Sequence, residues 1–286
     1  MAASTTSPGA GRPGPLPVGT TRRQLSVDGS ARSYLIHIPP SYNGLRPLPV
    51  VVTFHGLGAT AQAQLALSGF AAVADRNGFV VVAPQARRFG WDFLTPPSRP
   101  GSDAAFVVAL LRDLRSVACV DPQRCYVSGI SNGAAVVFAL ACGNVGGFAA
   151  YGAVAGAFYS PRCYRAPPQP IVYFHGTADR LVPIDGGRVF GVPIAPARQS
   201  MAAWAAHNGC PAGARRSVVA SDVTLFSWAG GRGGADVDYY VIAGGGHSWP
   251  GADRSIAQFT DRFLGRTTES ISASQIMWDF FARRSR

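Results

Sequence analysis

The sequence predicts an α/β fold in which a mostly parallel central sheet carries helices on both faces. Short, continuous apolar runs recur along the chain, at residues 34–38, 50–54, 79–82, 171–174 and 239–242. Alanine-rich helical segments lie between several of these runs, for example at 70–74 and 106–114. Uniformly apolar strands that alternate with helices are typical of a parallel sheet that is buried on both faces.

The N-terminal strands are predicted to run differently. Residues 22–26 and 32–38 flank Asp28 and Gly29, a pair that favours a tight turn. We therefore expect an antiparallel hairpin at one edge of the sheet. We find no internal repeat.

The chain is predicted to form one domain after a short tether. It has 286 residues, of which 47% are hydrophobic and 14% charged, enough for one large core. Residues 1–20 are small, polar and rich in proline, which predicts a disordered tether, and 21–286 form the domain. The tether has no apolar signal-peptide core, and no run is long enough to cross a membrane. Because such tethers often follow a cleaved signal or a lipid-anchored cysteine, we expect a secreted or cell-envelope protein.

The segment Gly-Ile-Ser-Asn-Gly at residues 129–133 is the most informative motif. A strand-like stretch precedes it and an apolar, helix-like stretch follows. A G-x-S-x-G motif between strand and helix is typical of the nucleophile elbow of the α/β-hydrolase fold, and it predicts Ser131 as the nucleophile. The two glycines are needed because a Cβ beside the strained serine would collide with the strand or the helix.

The remaining catalytic groups are expected in the order acid, then histidine. His247 lies in a glycine-rich loop after a strand, where a base can reach the nucleophile; His175 and His207 are the alternatives after Ser131. Asp179 follows a buried strand and is the preferred acid. Asp185 is the alternative, although a turn or cap role suits it better.

An oxyanion hole is expected after the strand at 48–54. The segment His-Gly-Leu-Gly follows that strand, and its position matches a loop that supplies one backbone donor in this fold. We predict the N–H groups of Leu57 and Asn132 as the two donors. The alternative is a plain turn at the end of the strand.

These motifs together resemble the esterase family that includes polyhydroxybutyrate depolymerases and the feruloyl and acetylxylan esterases of carbohydrate esterase family 1. The resemblance runs from about residue 32 to residue 281, and it is carried by 54–58, 119–124, 128–134, 175–179 with 182–183, 208–211 and 244–251. It implies the same three residues as nucleophile, acid and base. Relatives often keep a cysteine near 226–231 to pair with the one at Cys210, and here none is present, which predicts an unpaired Cys210.

The other four cysteines are predicted to form disulfides, as suits an exported protein. We expect Cys119 to pair with Cys125 and Cys142 with Cys163, although the sequence leaves the connectivity open. The alternative is five buried thiols. No cysteine shows metal-site spacing with histidine, so we expect neither metal nor cofactor.

The chain is strongly basic, with a net charge of +11, and all 26 basic residues are arginine. The arginines are scattered and form no basic helix or binding motif, so we expect no nucleic-acid partner. A positive surface could still help docking onto anionic polymers or cell envelopes.

Aromatic side chains near the site are candidates for substrate contacts. The set comprises His55, Trp91, Phe93, Phe158 and Trp249. The alternative is that the aromatic ones anchor the core.

We conclude that the sequence predicts a monomeric serine esterase that hydrolyses carboxylic esters, polymeric ones included. A peptidase or thioesterase on the same triad is the enzymatic alternative. A binding module without activity is the alternative from another class.

Overall fold

The structure is a computed structural model, and it describes residues 16–92, 102–156 and 166–286. Within these residues the strands are β1 (Gly19–Val27), β2 (Ser30–Ile38), β3 (Leu48–Phe54), β4 (Val80–Pro84), β5 (Val120–Ile130), β6 (Ala150–Val154), β7 (Ile171–Gly176), β8 (Gly187–Val189), β9 (Val192–Ile194), β10 (Arg215–Ala220), β11 (Val223–Trp228) and β12 (Val237–Ile242). The helices are α1 (Ala61–Ser68), α2 (Phe70–Asn77), α3 (Asp103–Val117), α4 (Asn132–Gly143), α5 (Ala197–Asn208), α6 (Arg254–Leu264) and α7 (Ala273–Phe281).

The described strands form one ten-stranded sheet in the order β1-β2-β4-β3-β5-β6-β7-β12-β11-β10, and β8 pairs with β9 separately. From β4 to β12 all neighbours are parallel, and the two strands at either edge are antiparallel to their neighbours. Asp28 and Gly29 both have positive φ, 48° and 75°, as a tight hairpin turn requires. The predicted mostly parallel sheet and its edge hairpin are confirmed.

Helices cover both faces of the sheet. Along β3, Val50 and Val52 pack into one apolar cluster, while Val51 packs into the other, because successive side chains of a strand point to opposite faces. The first cluster includes side chains of α3, α4 and α5, and the second includes side chains of α1, α2 and α7. Both faces of the central strands are therefore buried.

The boundary expected between the tether and the domain needs adjustment. The tether was predicted to extend to residue 20, but β1 begins at Gly19, since its backbone pairs with Ile38 of β2. Residues 1–15 lie outside the described part of the chain. No helix within the described residues is both long and apolar enough to cross a membrane.

Candidate active site

The predicted elbow joins β5 to α4. Strand β5 ends at Ile130 and α4 begins at Asn132, so Ser131 alone forms the turn between them. Its φ of 57° and ψ of −120° lie in a region that non-glycine residues rarely adopt. The neighbours hold it there: the Ser131 N–H donates to the Val154 carbonyl of β6 at 2.9 Å. The strain predicted for this residue is present.

The glycines on either side of Ser131 permit this turn. A Cβ on Gly129 would lie 2.6 Å from the backbone of Gly133, and a Cβ on Gly133 would overlap the carbonyl oxygen of Phe54 in β3. Neither contact can be relieved by a side-chain rotation, because both partners are backbone atoms. The elbow is therefore fixed by close approach of three backbone segments.

Asp179 lies just beyond the end of β7, with its side chain fully buried. Its Oδ1 accepts hydrogen bonds from the backbone N–H groups of Leu181 and Val182, both at 2.9 Å. Its Oδ2 lies 2.8 Å from Nδ1 of His247 and 3.3 Å from Nε2 of His175. Burial alone would raise the pKa of this carboxyl, but hydrogen bonds from His175 and His247 outweigh it and hold the pKa well below its ordinary value. Asp179 is thus an ionised acceptor.

His247 lies in the loop between β12 and α6, and it is almost fully buried. Because the ionised Asp179 can only accept, Nδ1 of His247 carries the proton in their 2.8 Å bond. Nε2 is then the atom with a free lone pair. The His247 N–H donates to the Leu264 carbonyl at 2.7 Å, which ties the loop to the end of α6.

A second histidine touches the same carboxylate, a contact that the sequence analysis did not foresee. The buried His175 lies on β7, where its Nδ1 is 2.6 Å from the Tyr173 hydroxyl and its Nε2 is 2.8 Å from the Val182 carbonyl. The Tyr173 hydroxyl also donates to the Gly156 carbonyl at 2.5 Å. The i, i+4 spacing of His175 and Asp179 across a turn was the available signal. His175 supports the acid from behind and does not line the cavity described below.

The alternative acid and base have other surroundings. Asp185 is exposed in a turn closed by a hydrogen bond from the Gly186 N–H to the Pro183 carbonyl. No described histidine bonds to it. His207 lies on α5, and its Nε2 is 2.9 Å from the Ala166 carbonyl.

The loop after β3 approaches the elbow closely. A Cβ on Gly56 would lie 3.4 Å from the Cβ of Ser131, so the backbone at the predicted oxyanion loop runs directly beside the serine. Within the described residues no acceptor takes the Leu57 N–H. Asn132 is the first residue of α4, where helix geometry leaves the N–H without an intrahelical acceptor. Both predicted donors are thus available to a ligand.

The side chain of Asn132 holds a further loop in place. Its Oδ1 accepts from the Trp91 N–H at 2.7 Å, and its Nδ2 donates to the Trp91 carbonyl at 3.3 Å. The buried Asp103 accepts from the Asp92 N–H at 2.7 Å and pairs with the buried Arg32 at 2.7 Å. This arrangement positions the loop before residue 93 against the elbow.

An open cavity of about 690 Å³ joins these groups. Ser131 and His247 both line it, together with the predicted oxyanion residues Leu57 and Asn132. The rest of its wall is mainly apolar: Ala59, Ala63, Leu67, Ile130, Ala135, Leu181, Val182, Val189, Phe190, Ile256 and Leu264. The cavity can therefore hold an apolar group next to the serine.

Three of the five predicted substrate contacts lie in the interior. His55 is fully buried, and its Nε2 accepts from the Ala86 N–H at 3.1 Å; burial lowers its pKa. Trp91 donates its indole N–H to the His55 carbonyl at 2.9 Å, and Trp249 donates to the Ser274 hydroxyl at 3.1 Å. None of the three lines the cavity. The expected contact of these three residues with substrate is therefore corrected: they take the alternative role and anchor the interior.

The other two predicted contacts, Phe93 and Phe158, lie outside the described residues. The residues that do line the cavity from 180 to 190 and from α6 were not singled out from the sequence. An exposed arginine or phenylalanine in a loop belongs to no motif, so the sequence offered no signal that these residues line a cavity.

The predicted Cys119–Cys125 disulfide is wrong, because both residues carry free thiols. Cys125 is buried in the core, where its Sγ lies 3.4 Å from the Asp121 carbonyl oxygen and burial raises its pKa to about 11. Cys210 has a free thiol, as predicted. The second pair, Cys142 with Cys163, stays a prediction because residue 163 lies outside the described part, and so does export. Within the described residues no group of three or more metal-ligating side chains is gathered.

Comparison with known proteins points to one family. The model of the family described as "Esterase PHB depolymerase" matches residues 32–179, which include Ser131 and Asp179. NocK of Nocardia uniformis subsp. tsuyamanensis, assigned by name to the esterases, is 29% identical over 91% of this chain and 82% of its own. Feruloyl esterase D of Neurospora crassa is 26% identical over 99% of this chain and 92% of its own. The acetyl xylan esterase structure from Aspergillus awamori superposes with a TM-score of 0.63 at 16% identity, covering 86% of this chain and 99% of its own, and it shares the fold.

Proposed function

This chain belongs to the esterase PHB depolymerase family and is a carboxylic ester hydrolase of α/β-hydrolase fold, and we propose that it hydrolyses esters through Ser131, His247 and Asp179. The observation that carries the proposal is the shared wall of one cavity. Ser131 and His247 both line it, and the buried Asp179 binds His247 on the side away from it. These two observations support a triad in which His247 lies between Ser131 and Asp179.

Each residue has a defined part in the proposed reaction. Nε2 of His247 takes the proton of the Ser131 hydroxyl as the oxygen attacks the ester carbonyl. The carboxylate of Asp179 keeps the proton of His247 on Nδ1 and stabilises the imidazolium that forms. His247 then returns its proton to the leaving alcohol. Water, deprotonated by His247, hydrolyses the acyl-enzyme.

The negative charge on the carbonyl oxygen is proposed to be held by the N–H groups of Leu57 and Asn132. Two observations support donors that are in place before substrate arrives: Gly56, next to Leu57, approaches Ser131 closely, and Asn132 begins α4. Donors that need no rearrangement are the ones that lower a barrier effectively, each by roughly 3–4 kcal/mol.

The mainly apolar wall supports esters with an apolar acyl or alcohol group. Polyhydroxybutyrate-type polyesters and feruloyl or acetyl polysaccharide esters are the candidates, in keeping with the family and the named relatives. Side-by-side hydrolysis of polyhydroxybutyrate, methyl ferulate and p-nitrophenyl acetate ranks them. Matched amide and thioester substrates test a peptidase or thioesterase.

A fluorophosphonate probe tests the nucleophile directly. We expect one covalent adduct, located by peptide mass spectrometry at Ser131, with loss of esterase activity in proportion to labelling. Ser248→Ala is the matched control, because Ser248 also lines the cavity beside His247. Labelling that persists in Ser131→Ala, or that is lost in Ser248→Ala, would contradict the assignment.

A further inference from the structure

Helix α6 is amphipathic, yet the protein covers little of its apolar face. Ala257 is its one buried residue, although the helix carries Ile256, Phe259, Phe263 and Leu264. The phenylalanine side chains are 70% and 76% exposed, and their rings contact each other with centroids 6.2 Å apart. A helix normally turns such a face into the core. Here it points to solvent.

The exposed face of α6 is continuous with the wall of the cavity. Ile256, Thr260 and Leu264 line the cavity at i, i+4 spacing. By the 3.6-residue period of a helix, Phe263 lies next to Ile256 on the side away from the buried Ala257, and Phe259 lies one step further out. An apolar strip therefore runs from the cavity onto the outer surface.

Other exposed apolar side chains surround the same opening. Phe190 is 87% exposed, Leu181 53% and Leu57 43%, and all three line the cavity. We call these three with Phe259 and Phe263 the apolar rim. Contiguous apolar surface of this kind marks an interaction site.

The charged side chains that line the cavity have one sign. Arg180 and Arg188 line the cavity, and no aspartate or glutamate does so among the described lining residues. Arg262 lies beside Phe259 on the helix. None of the three arginines forms an ion pair within the described residues. The nearby Asp261 is turned towards Thr267, whose hydroxyl and N–H it binds.

We propose that the apolar rim docks onto an anionic phospholipid surface and places the cavity opening against it. Aromatic side chains favour the boundary between headgroups and acyl chains, and arginines next to them are attracted by negative headgroups. A neutral polyester surface would accept the aromatic groups but would offer the arginines no partner. The charge beside the rim therefore favours the lipid.

Vesicle co-sedimentation tests the docking without any catalysis. The Ser131→Ala protein is mixed with vesicles of phosphatidylcholine alone or with one quarter phosphatidylglycerol. We expect strong binding to the anionic vesicles and weak binding to the neutral ones. Phe259→Ser/Phe263→Ser should lower binding more than about tenfold, since the variant loses the apolar surface of both rings. Val218→Ser/Val219→Ser, two exposed apolar residues on β10, is the matched control and should bind normally.

The attraction between the arginines and the anionic headgroups is tested with a separate variant and control. Arg180→Gln/Arg188→Gln/Arg262→Gln should abolish the preference for anionic vesicles, as should high salt, while Arg215→Gln/Arg216→Gln on β10 should not. Two measurements check that the fold is retained. Circular dichroism is recorded for each variant, and Phe259→Ser/Phe263→Ser is also made in the protein with Ser131 intact, where it should still hydrolyse a soluble ester.

Three results would overturn the proposal: no vesicle binding, equal binding to both vesicle types, or sedimentation of the protein without vesicles through self-association. Binding to a polyhydroxybutyrate film but to no vesicle would assign the rim to polymer instead. None of these results bears on the esterase chemistry, which soluble esters measure separately.

Discussion

The two halves of the proposed site are built in different ways. At the elbow, Ser131 is held by backbone atoms of three segments that approach too closely for any Cβ at Gly129 or Gly133. At the acid–base half, Asp179 and His247 come from loops separated by 68 residues, and side-chain hydrogen bonds join them. The first half is fixed by sterics, which tolerate no change. The second is fixed by electrostatics, which can be weakened in steps and by pH.

The largest expected effect is at the elbow itself. Ser131→Ala should reduce kcat by on the order of 10⁶, as removal of a triad serine does elsewhere, with the unfolding midpoint in urea almost unchanged. The fold is retained because the hydroxyl faces the cavity. Purified variant and wild type are compared on p-nitrophenyl acetate. Substantial remaining turnover, with contaminating hydrolases excluded, would remove the proposed mechanism.

The next effect is at the acid. Asp179→Asn should lower kcat about 10⁴-fold, because the amide favours the wrong tautomer of His247. Asp185→Asn is the matched control and should lose at most a few-fold, since Asp185 is exposed in a turn. The opposite ranking would move the acid to Asp185.

The next prediction tests the steric contacts that hold the elbow, and its effect on kcat is smaller than that at the acid. Gly133→Ala should lower kcat at least about 100-fold, because an ångström-scale shift of the nucleophile is that costly. It should also lower the free energy of unfolding by about 1–3 kcal/mol through overpacking against β3. Gly143→Ala at the other end of α4 meets only the side chain of Val145 and serves as control. Equal, mild effects in both variants would show that the elbow can relax.

Acid pH should weaken the electrostatic half selectively. The folded pKa of Asp179 lies below the ordinary 3.8, so its contribution to stability is complete above about pH 4 and is lost as pH falls towards the folded value. Urea unfolding of the wild type and of Asp179→Asn should therefore differ most at pH 6–7 and converge at low pH. A difference that stays constant down to pH 2 would contradict this.

The smallest effect concerns the reactivity of the cysteine thiols. In the native protein Cys119 and Cys210 should react with a thiol reagent. Cys125 should react only after the protein unfolds, since it is buried and its pKa is raised to about 11. Unfolding without reductant should reveal three thiols in all if Cys142 and Cys163 are bonded. Five thiols would exclude that bond and the exported location that it supports. Cys125→Ala identifies the slow thiol.

The sequence analysis succeeded where function depends on neighbours in the chain. The elbow needs glycines next to its serine, and apolar runs identify the strands that precede Ser131 and Asp179. It missed β6 because Ala-Tyr-Gly-Ala-Val is short and weakly apolar, and it missed β10 because that edge strand is largely exposed. It misjudged Trp91 and Trp249, since their burial depends on packing across the fold. His175 illustrates the same limit: its i, i+4 spacing from Asp179 is visible in the sequence, but the turn that brings the two side chains together is not.

The last helix has a consequence for how the chain folds. Trp278 of α7 stacks on Phe79 at 4.1 Å, and the Ser274 hydroxyl bonds the Ser68 carbonyl, a partner 206 residues away. Such contacts close very long loops, and closing a long loop costs conformational entropy. The contacts should therefore form only after the strands between them have paired. We therefore expect α7 to dock late in refolding. Until it docks, part of one face of the sheet is uncovered, and dilute conditions are needed to keep such intermediates from aggregating.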